Sequence, residues 1–229
     1  MSKSKPGGRI VRGLASLAIG WAGLAAFPAA PSAAPRAQEL VARLEGAALV
    51  ESVKQGGKVI LLRHTSTESR SDETLKFRVE DCSTQRNLSE QGKQEAKAIG
   101  EAVAKLGIKI DAVYASPYCR TLETGRLAFG KATPSETLAV GDRLSMDGKL
   151  DRAAAIRKLL DTAPPPGTNV VLITHTGNLL YAFGLDSRPE GIAHVFEPTG
   201  TGRASYLGRM NPEEWTKLSG QQAGAKANP

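Results

Sequence analysis

The sequence predicts an α/β domain with a mainly parallel sheet, and three observations carry that prediction. Three short apolar runs, 59–62, 111–115 and 169–174, are bounded by glycines, charges or turn residues and read as buried strands. Helical periodicity fills the chain between and after them, as crossovers between parallel strands require. The composition, 41% hydrophobic and 23% charged over 229 residues, is that of an ordinary globular protein of one domain or at most two.

The elements follow in chain order. Lys3, Lys5, Arg9 and Arg12 form a basic leader, and no acid precedes Glu39. The apolar run from Leu14 to Phe27 and the small-residue stretch PAAPSAAPRA complete the three parts of a secretory signal peptide. Residues 1–34 are therefore expected to be removed, with cleavage near Ser32 or Ala34. The apolar run falls short of the ~20 residues that cross a bilayer comfortably. The alternative is an uncleaved N-terminal anchor. Export to the periplasm or the medium is the expectation, with membrane contact only through this leader.

The folded domain is expected over 38–217. Leu40, Leu44, Ala47, Val50 and Val53 fall at helical spacing and predict a helix over 39–54, ended by Gly56-Gly57. The first strand follows, and 66–86 is polar, aperiodic and read as a long loop. Ser89 caps a helix whose Ala96, Ile99, Val103 and Leu106 share a face. After the second strand, a helix is expected from about Tyr118 to Phe129, closed by Gly130. Another spans 151–161, and Ala163-Pro-Pro-Pro-Gly167 breaks the chain before the third strand. A helix begins near Gly177, short strands are read at 193–196 and 204–207, and a short helix at 213–217. Residues 218–229 are polar and expected to be a mobile tail.

The net charge of +7 invites a nucleic-acid or membrane-surface reading. Residues 1–32 hold four of the 30 basic residues and none of the 23 acidic ones, so cleavage leaves +3. A nearly balanced domain with no nucleic-acid partner is expected. Two cysteines are too few for a disulfide-dense scaffold or a four-cysteine zinc site. In an exported protein Cys82 and Cys119 either pair, tying the long loop to the helix that starts near Tyr118, or stay two independent buried thiols.

Chemistry gathers at the strand ends. The first strand runs into Arg63-His64, the second into Ser116-Pro-Tyr-Cys-Arg120, and the third into His175. Ligands of open α/β sheets bind outside the carboxyl ends of the strands. Two arginines, two histidines and helix N-termini on one rim make an anion pocket, and phosphate suits it because a guanidinium grips two oxygens at once. The third histidine, His194, lies inside the apolar stretch 192–196 and reads as structural.

At these residues the chain resembles the histidine phosphatase superfamily, the phosphoglycerate-mutase-like fold. Leu61-Leu62-Arg63-His64-Thr65 is similar to its Arg-His-Gly signature, and Leu88-Ser-Glu-Gln-Gly92-Lys-Gln-Glu-Ala96 to its Leu-Ser/Thr-x-x-Gly-x-x-Gln-Ala stretch. Ser116-Pro-Tyr-Cys-Arg120-Thr-Leu-Glu-Thr124 resembles Ser-x-x-x-Arg-x-x-x-Thr, and Thr174-His175-Thr-Gly177-Asn178 the His before a glycine turn. The resemblance implies a three-layer α/β/α sandwich and a phosphatase acting on a small-molecule phosphate ester. His64 would be the nucleophile, forming phosphohistidine. Arg63, Arg120 and His175 would hold the phosphate oxygens, Thr67 would donate a further hydrogen bond, and Arg86 would grip the rest of the substrate. No metal and no cofactor are expected.

Two departures stand out. Thr65 occupies a position where the family has glycine or alanine, so it either narrows the turn or contacts substrate. The general acid lies among Glu136, Asp142 and Asp147, or is absent. Two other functions share the pattern: a non-catalytic phospho-ligand binding protein whose turn Thr65 blocks, and a phosphomutase.

Overall fold

The computed structural model describes residues 40–69, 77–140, 144–185 and 187–226. The leader 1–34 and Asp142 lie outside the described residues. The six described strands, β1 (Val59–Arg63), β2 (Ile110–Ala115), β3 (Thr133–Pro134), β4 (Asn169–Thr174), β5 (Ala193–Glu197) and β6 (Ser205–Met210), form one sheet in the order β3-β2-β4-β1-β5-β6. β1 and β2 flank β4 in parallel and β3 joins β2 in parallel, whereas β5 and β6 add an antiparallel edge.

The strand alternation sorts side chains into two cores. Ile60, Leu62, Val171 and Ile173 face α1 (Gly46–Lys54), α2 (Glu90–Lys105) and α6 (Pro212–Lys226), meeting Leu49, Val53, Ile99, Val103 and Trp215. Leu122 and Phe129 of α3 (Cys119–Phe129) pack against the same core. Val59, Leu61 and Leu172 face the opposite way, onto Ile156 and Leu160 of α4 (Met146–Leu160) and Leu179 of α5 (Thr176–Phe183). The result is the three-layer sandwich. β1 sits between β4 and β5 with both faces covered, which explains its unbroken apolar run. Each fully buried Leu or Ile here is worth about 1.5–3 kcal/mol relative to exposure.

The expected first helix is shorter than its apolar spacing suggested. It starts at Gly46, and the preceding segment is extended, with the amides of Arg43 and Leu44 both donating to Leu207 O at 2.8 Å. Leu44 thus reaches the core from a strap lying on β6. The expected short final helix is longer than its sequence pattern suggested, because α6 runs to Lys226. Trp215 is 1% exposed and anchors its first turns, and the following Gln, Ala and Lys residues favour helix. In the long loop, Cys82–Thr84 form one turn of 3-10 helix, capped by the Asp81 carboxylate accepting from Ser83 N at 3.0 Å.

Candidate active site

The ends of β1, β2 and β4 lie side by side. His64 N donates to Thr174 O at 3.2 Å and Ser116 N to Ile173 O at 2.9 Å. This register places His64, Ser116 and His175 on one rim, with the α3 N-terminus carrying Arg120 over it. The strand ends therefore bring together four of the six residues singled out from sequence: Arg63, His64, Arg120 and His175.

His64 is 1% exposed, and its Nδ1 lies 3.0 Å from Thr65 O. A carbonyl only accepts, so Nδ1 carries the proton and the lone pair is left on Nε2. His175 has the opposite tautomer. Arg120 Nη2 stands 3.2 Å from its Nδ1, and a guanidinium only donates, so Nε2–H of His175 donates to Ser116 Oγ at 2.8 Å. The two imidazoles meet edge to face with centroids 5.4 Å apart. Burial first, and Arg120 second, hold both pKa values well below the usual 6.5, so both rings are neutral at neutral pH.

Arg120 is 3% exposed; its guanidinium lies 4.9 Å from the Tyr118 ring centroid and its Nη1 donates to Arg86 O at 3.4 Å. Tyr118 also packs edge-on against His175, at 5.0 Å. Arg63 is held from two sides: Nη1 donates to Ser187 O at 3.1 Å and Nη2 to Glu190 Oε1 at 2.7 Å.

The turn after His64 is pinned residue by residue. Thr65 N donates to Thr124 Oγ1 (3.3 Å), Ser66 N to Glu95 Oε2 (3.0 Å) and Thr67 N to Glu190 Oε2 (2.8 Å). Thr65 is fully buried, and its hydroxyl bonds Thr124 Oγ1 at 3.3 Å. Thr124 in turn donates to Arg120 O at 2.7 Å, which couples this turn to α3. Gly191 faces Thr65, with φ +78°; a Cβ there would stand 2.8 Å from Pro212 Cγ. The Thr67 hydroxyl donates to both Glu190 oxygens at 3.1 Å. Arg86 is half-buried, with Nη2 3.9 Å from Glu190 Oε1.

Cys82 and Cys119 form a disulfide with Cα atoms 5.7 Å apart. It fastens the loop of Arg86 to the first turn of α3, where Gln85 Oε1 also accepts from Cys119 N at 3.0 Å. Glu136 and Asp147 are both exposed. Glu136 lines a separate cleft with Glu68, Asn87 and Cys119, and no hydrogen bond or ion pair among the described residues joins either acid to the two histidines. His194 is buried in β5 with Nδ1 3.2 Å from Tyr206 Oη, and burial lowers its pKa to about 4. Among the described residues, no group of three or more His, Cys, Asp or Glu side chains could hold a metal ion.

Sequence reasoning missed Glu190 and Ser116 as site residues. Ser116 opens the second motif and was legible there. Glu190 was not, because it is far from Arg63 in sequence and sits in an ordinary-looking polar turn. It reaches the rim because β5 is antiparallel to β1, so the loop entering β5 lies beside the end of β1, with Arg63 N donating to Ile192 O at 3.0 Å.

Residues 59–145 match the model of the histidine phosphatase superfamily (branch 1). No curated protein matches the chain. Among solved structures, the ecdysone phosphate phosphatase from Bombix mori in complex with tungstate is 14% identical, with a TM-score of 0.50 over 68% of this chain and 93% of that one. The protein histidine phosphatase SixA complexed with tungstate is 16% identical (TM-score 0.48, 68% and 97% covered). A phosphoserine phosphatase from Entamoeba histolytica in complex with 3-phosphoglyceric acid is 13% identical (TM-score 0.47, 69% and 98% covered). The family match begins on the strand that ends in His64 and continues past the helix of Arg120, so residues 59–145 carry the pattern of the histidine phosphatase superfamily (branch 1).

Proposed function

We propose that this protein is an exported, metal-independent phosphatase that hydrolyses a phosphomonoester through a phosphohistidine on His64. The observation that carries the reading is the tautomer of His64: its Nδ1–H is committed to Thr65 O, which leaves a buried, neutral Nε2 lone pair on a rim with Arg63, Arg120 and His175. A neutral imidazole is a competent nucleophile without a base to activate it.

In the first step the Nε2 lone pair attacks phosphorus, the ester P–O bond breaks, and the leaving oxygen takes up a proton from solvent. In the second, water attacks the phosphohistidine and gives up a proton to solvent, the P–N bond breaks, and the lone pair returns to Nε2 as phosphate departs. Arg63 and Arg120 stabilise the charge spread over the transferring oxygens. Arg120 is prepared for this by Tyr118, Arg86 O and His175, and Arg63 by Ser187 and Glu190. The Thr65 hydroxyl is buried and engaged by Thr124, which fixes the turn beside the nucleophile. Export is supported by the basic and apolar leader and by the disulfide, which suits an oxidising compartment.

The test is hydrolysis of an aryl phosphate in excess chelator by the mature chain and by His64→Ala. The reading expects full activity with chelator and loss of at least about a thousandfold in the variant. Chelator-sensitive turnover would end the metal-independent mechanism, and equal activity in His64→Ala would end the nucleophile assignment.

A further inference from the structure

We propose that Glu190 is the counter-charge of the anion pocket, a positioning carboxylate that fixes Arg63 and the turn after His64 and keeps the pocket from holding free phosphate too tightly. The proposal rests on the phosphatase reading above and extends it to product release.

Glu190 makes contacts on three sides of the pocket. Its Oε1 lies 2.7 Å from Arg63 Nη2, 3.9 Å from Arg86 Nη2 and 3.9 Å from His64 Nδ1. Its Oε2 accepts from Thr67 N at 2.8 Å, and both oxygens accept from the Thr67 hydroxyl at 3.1 Å. A single carboxylate therefore ties together the end of β1, the turn after it and the loop of Arg86. The Glu190 side chain is only 21% exposed, so solvent screens its charge weakly.

The placement excludes a role in proton transfer at the reacting nitrogen. Glu190 faces the Nδ1 edge of His64, whose proton is already given to Thr65 O, and the nucleophilic Nε2 lies on the other edge of the ring. What Glu190 supplies is a fixed negative charge and a geometry.

That charge acts on any anion in the pocket. A phosphate dianion is attracted by Arg63, Arg86 and Arg120 and repelled by Glu190 across a half-buried space. A phosphatase that forms phosphohistidine ends each turnover with inorganic phosphate on the same arginines that stabilised its transition state. A built-in carboxylate lowers the affinity for that product, while its clamp keeps Arg63 aimed for the transfer step. Binding that is equally strong for product and transition state would slow release without hastening chemistry.

Glu190→Gln separates the two roles, because it removes the charge and keeps the shape and an oxygen for Thr67 N. Inorganic phosphate is the probe, followed by calorimetry and as a competitive inhibitor of aryl phosphate hydrolysis. The expected result is phosphate binding tighter by about tenfold or more, since losing one like charge at this range and burial is worth at least that factor. KM should fall alongside, and kcat should fall because Arg63 loses its ion pair with the carboxylate while keeping its bond to Ser187 O. Glu190→Asp keeps the charge and should leave phosphate affinity close to wild type. If the Gln variant fails to fold by thermal melting, Glu190→Ser removes the same charge and carries the same expectation. Phosphate binding that is unchanged or weaker in the charge-removing variant would overturn the counter-charge role and leave the phosphatase reading standing. A wild-type protein that neither binds phosphate nor hydrolyses an aryl phosphate would overturn both.

Discussion

Removing the Cys82–Cys119 disulfide tests how the loop of Arg86 is held against the helix of Arg120. The double variant Cys82→Ser/Cys119→Ser avoids leaving a free thiol. The bridge closes a loop of 37 residues, and the chain-entropy relation for that length gives about 4 kcal/mol of stabilisation, drawn mainly from restricting the unfolded chain. Part of the docked arrangement survives without it. Gln85 still accepts from Cys119 N, Arg120 still donates to Arg86 O, and Thr67 still bridges Leu88. The loop should therefore remain docked in the folded variant, with a larger population of open states that carry Arg86 away from the rim. The assay is urea unfolding extrapolated to water, because the slope itself steepens when the unfolded chain loses its cross-link. KM and kcat for an aryl phosphate are measured beside it. The expectation is a loss of about 3–4 kcal/mol, a raised KM, and a smaller change in kcat. A stability loss below about 1 kcal/mol with unchanged KM would mean that the hydrogen bonds alone set the loop and the disulfide does not.

Two further outcomes follow from the same geometry. Gly92 sits on α2 where a Cβ would lie 1.8 Å from Ser66 O, in the turn that follows His64. Gly92→Ala should cost about 2–4 kcal/mol and lower kcat/KM by displacing that turn, checked by thermal unfolding and steady-state kinetics. The neutral histidines predict a pH response with a definite sign. In the unfolded chain imidazoles take up protons near pH 6.5, while folded His64 and His175 resist them, so stability declines as pH falls below about 6.5 and levels off once the folded rings protonate. Imidazole NMR should show both rings still neutral at pH 6, and a titration midpoint at or above 6.5 for either would contradict the buried, arginine-flanked setting.

Much of this site was legible in the sequence because its chemistry is local to strand ends. An apolar run that stops at Arg63-His64, or at His175, states both the strand and what stands on its rim. The cap at Ser89 was equally plain, and its side chain accepts from Gly92 N at 3.1 Å. What stayed hidden depends on pairing between distant segments. β3 is two residues long and exists only because Tyr114 and Ala115 offer it an edge. The strap at 43–44 kept a helical spacing of leucines, but β6 claimed its amides. Glu190 carries no motif, and only the antiparallel entry of β5 brings it to Arg63. Thr67 looked like a free phosphate donor in the sequence, and the same carboxylate engages it.

Phosphoryl transfer through His64 Nε2 leaves a covalent intermediate that can be trapped. During turnover of a phosphate monoester, an alkaline quench that preserves phosphoramidates, followed by peptide mass spectrometry, reads this directly. The expected result is one added phosphoryl group on the peptide containing His64, located on that ring, absent in His64→Ala and unchanged by chelator. A phosphoryl group found on another residue, or undiminished turnover in His64→Ala with no adduct in the wild type, would contradict it.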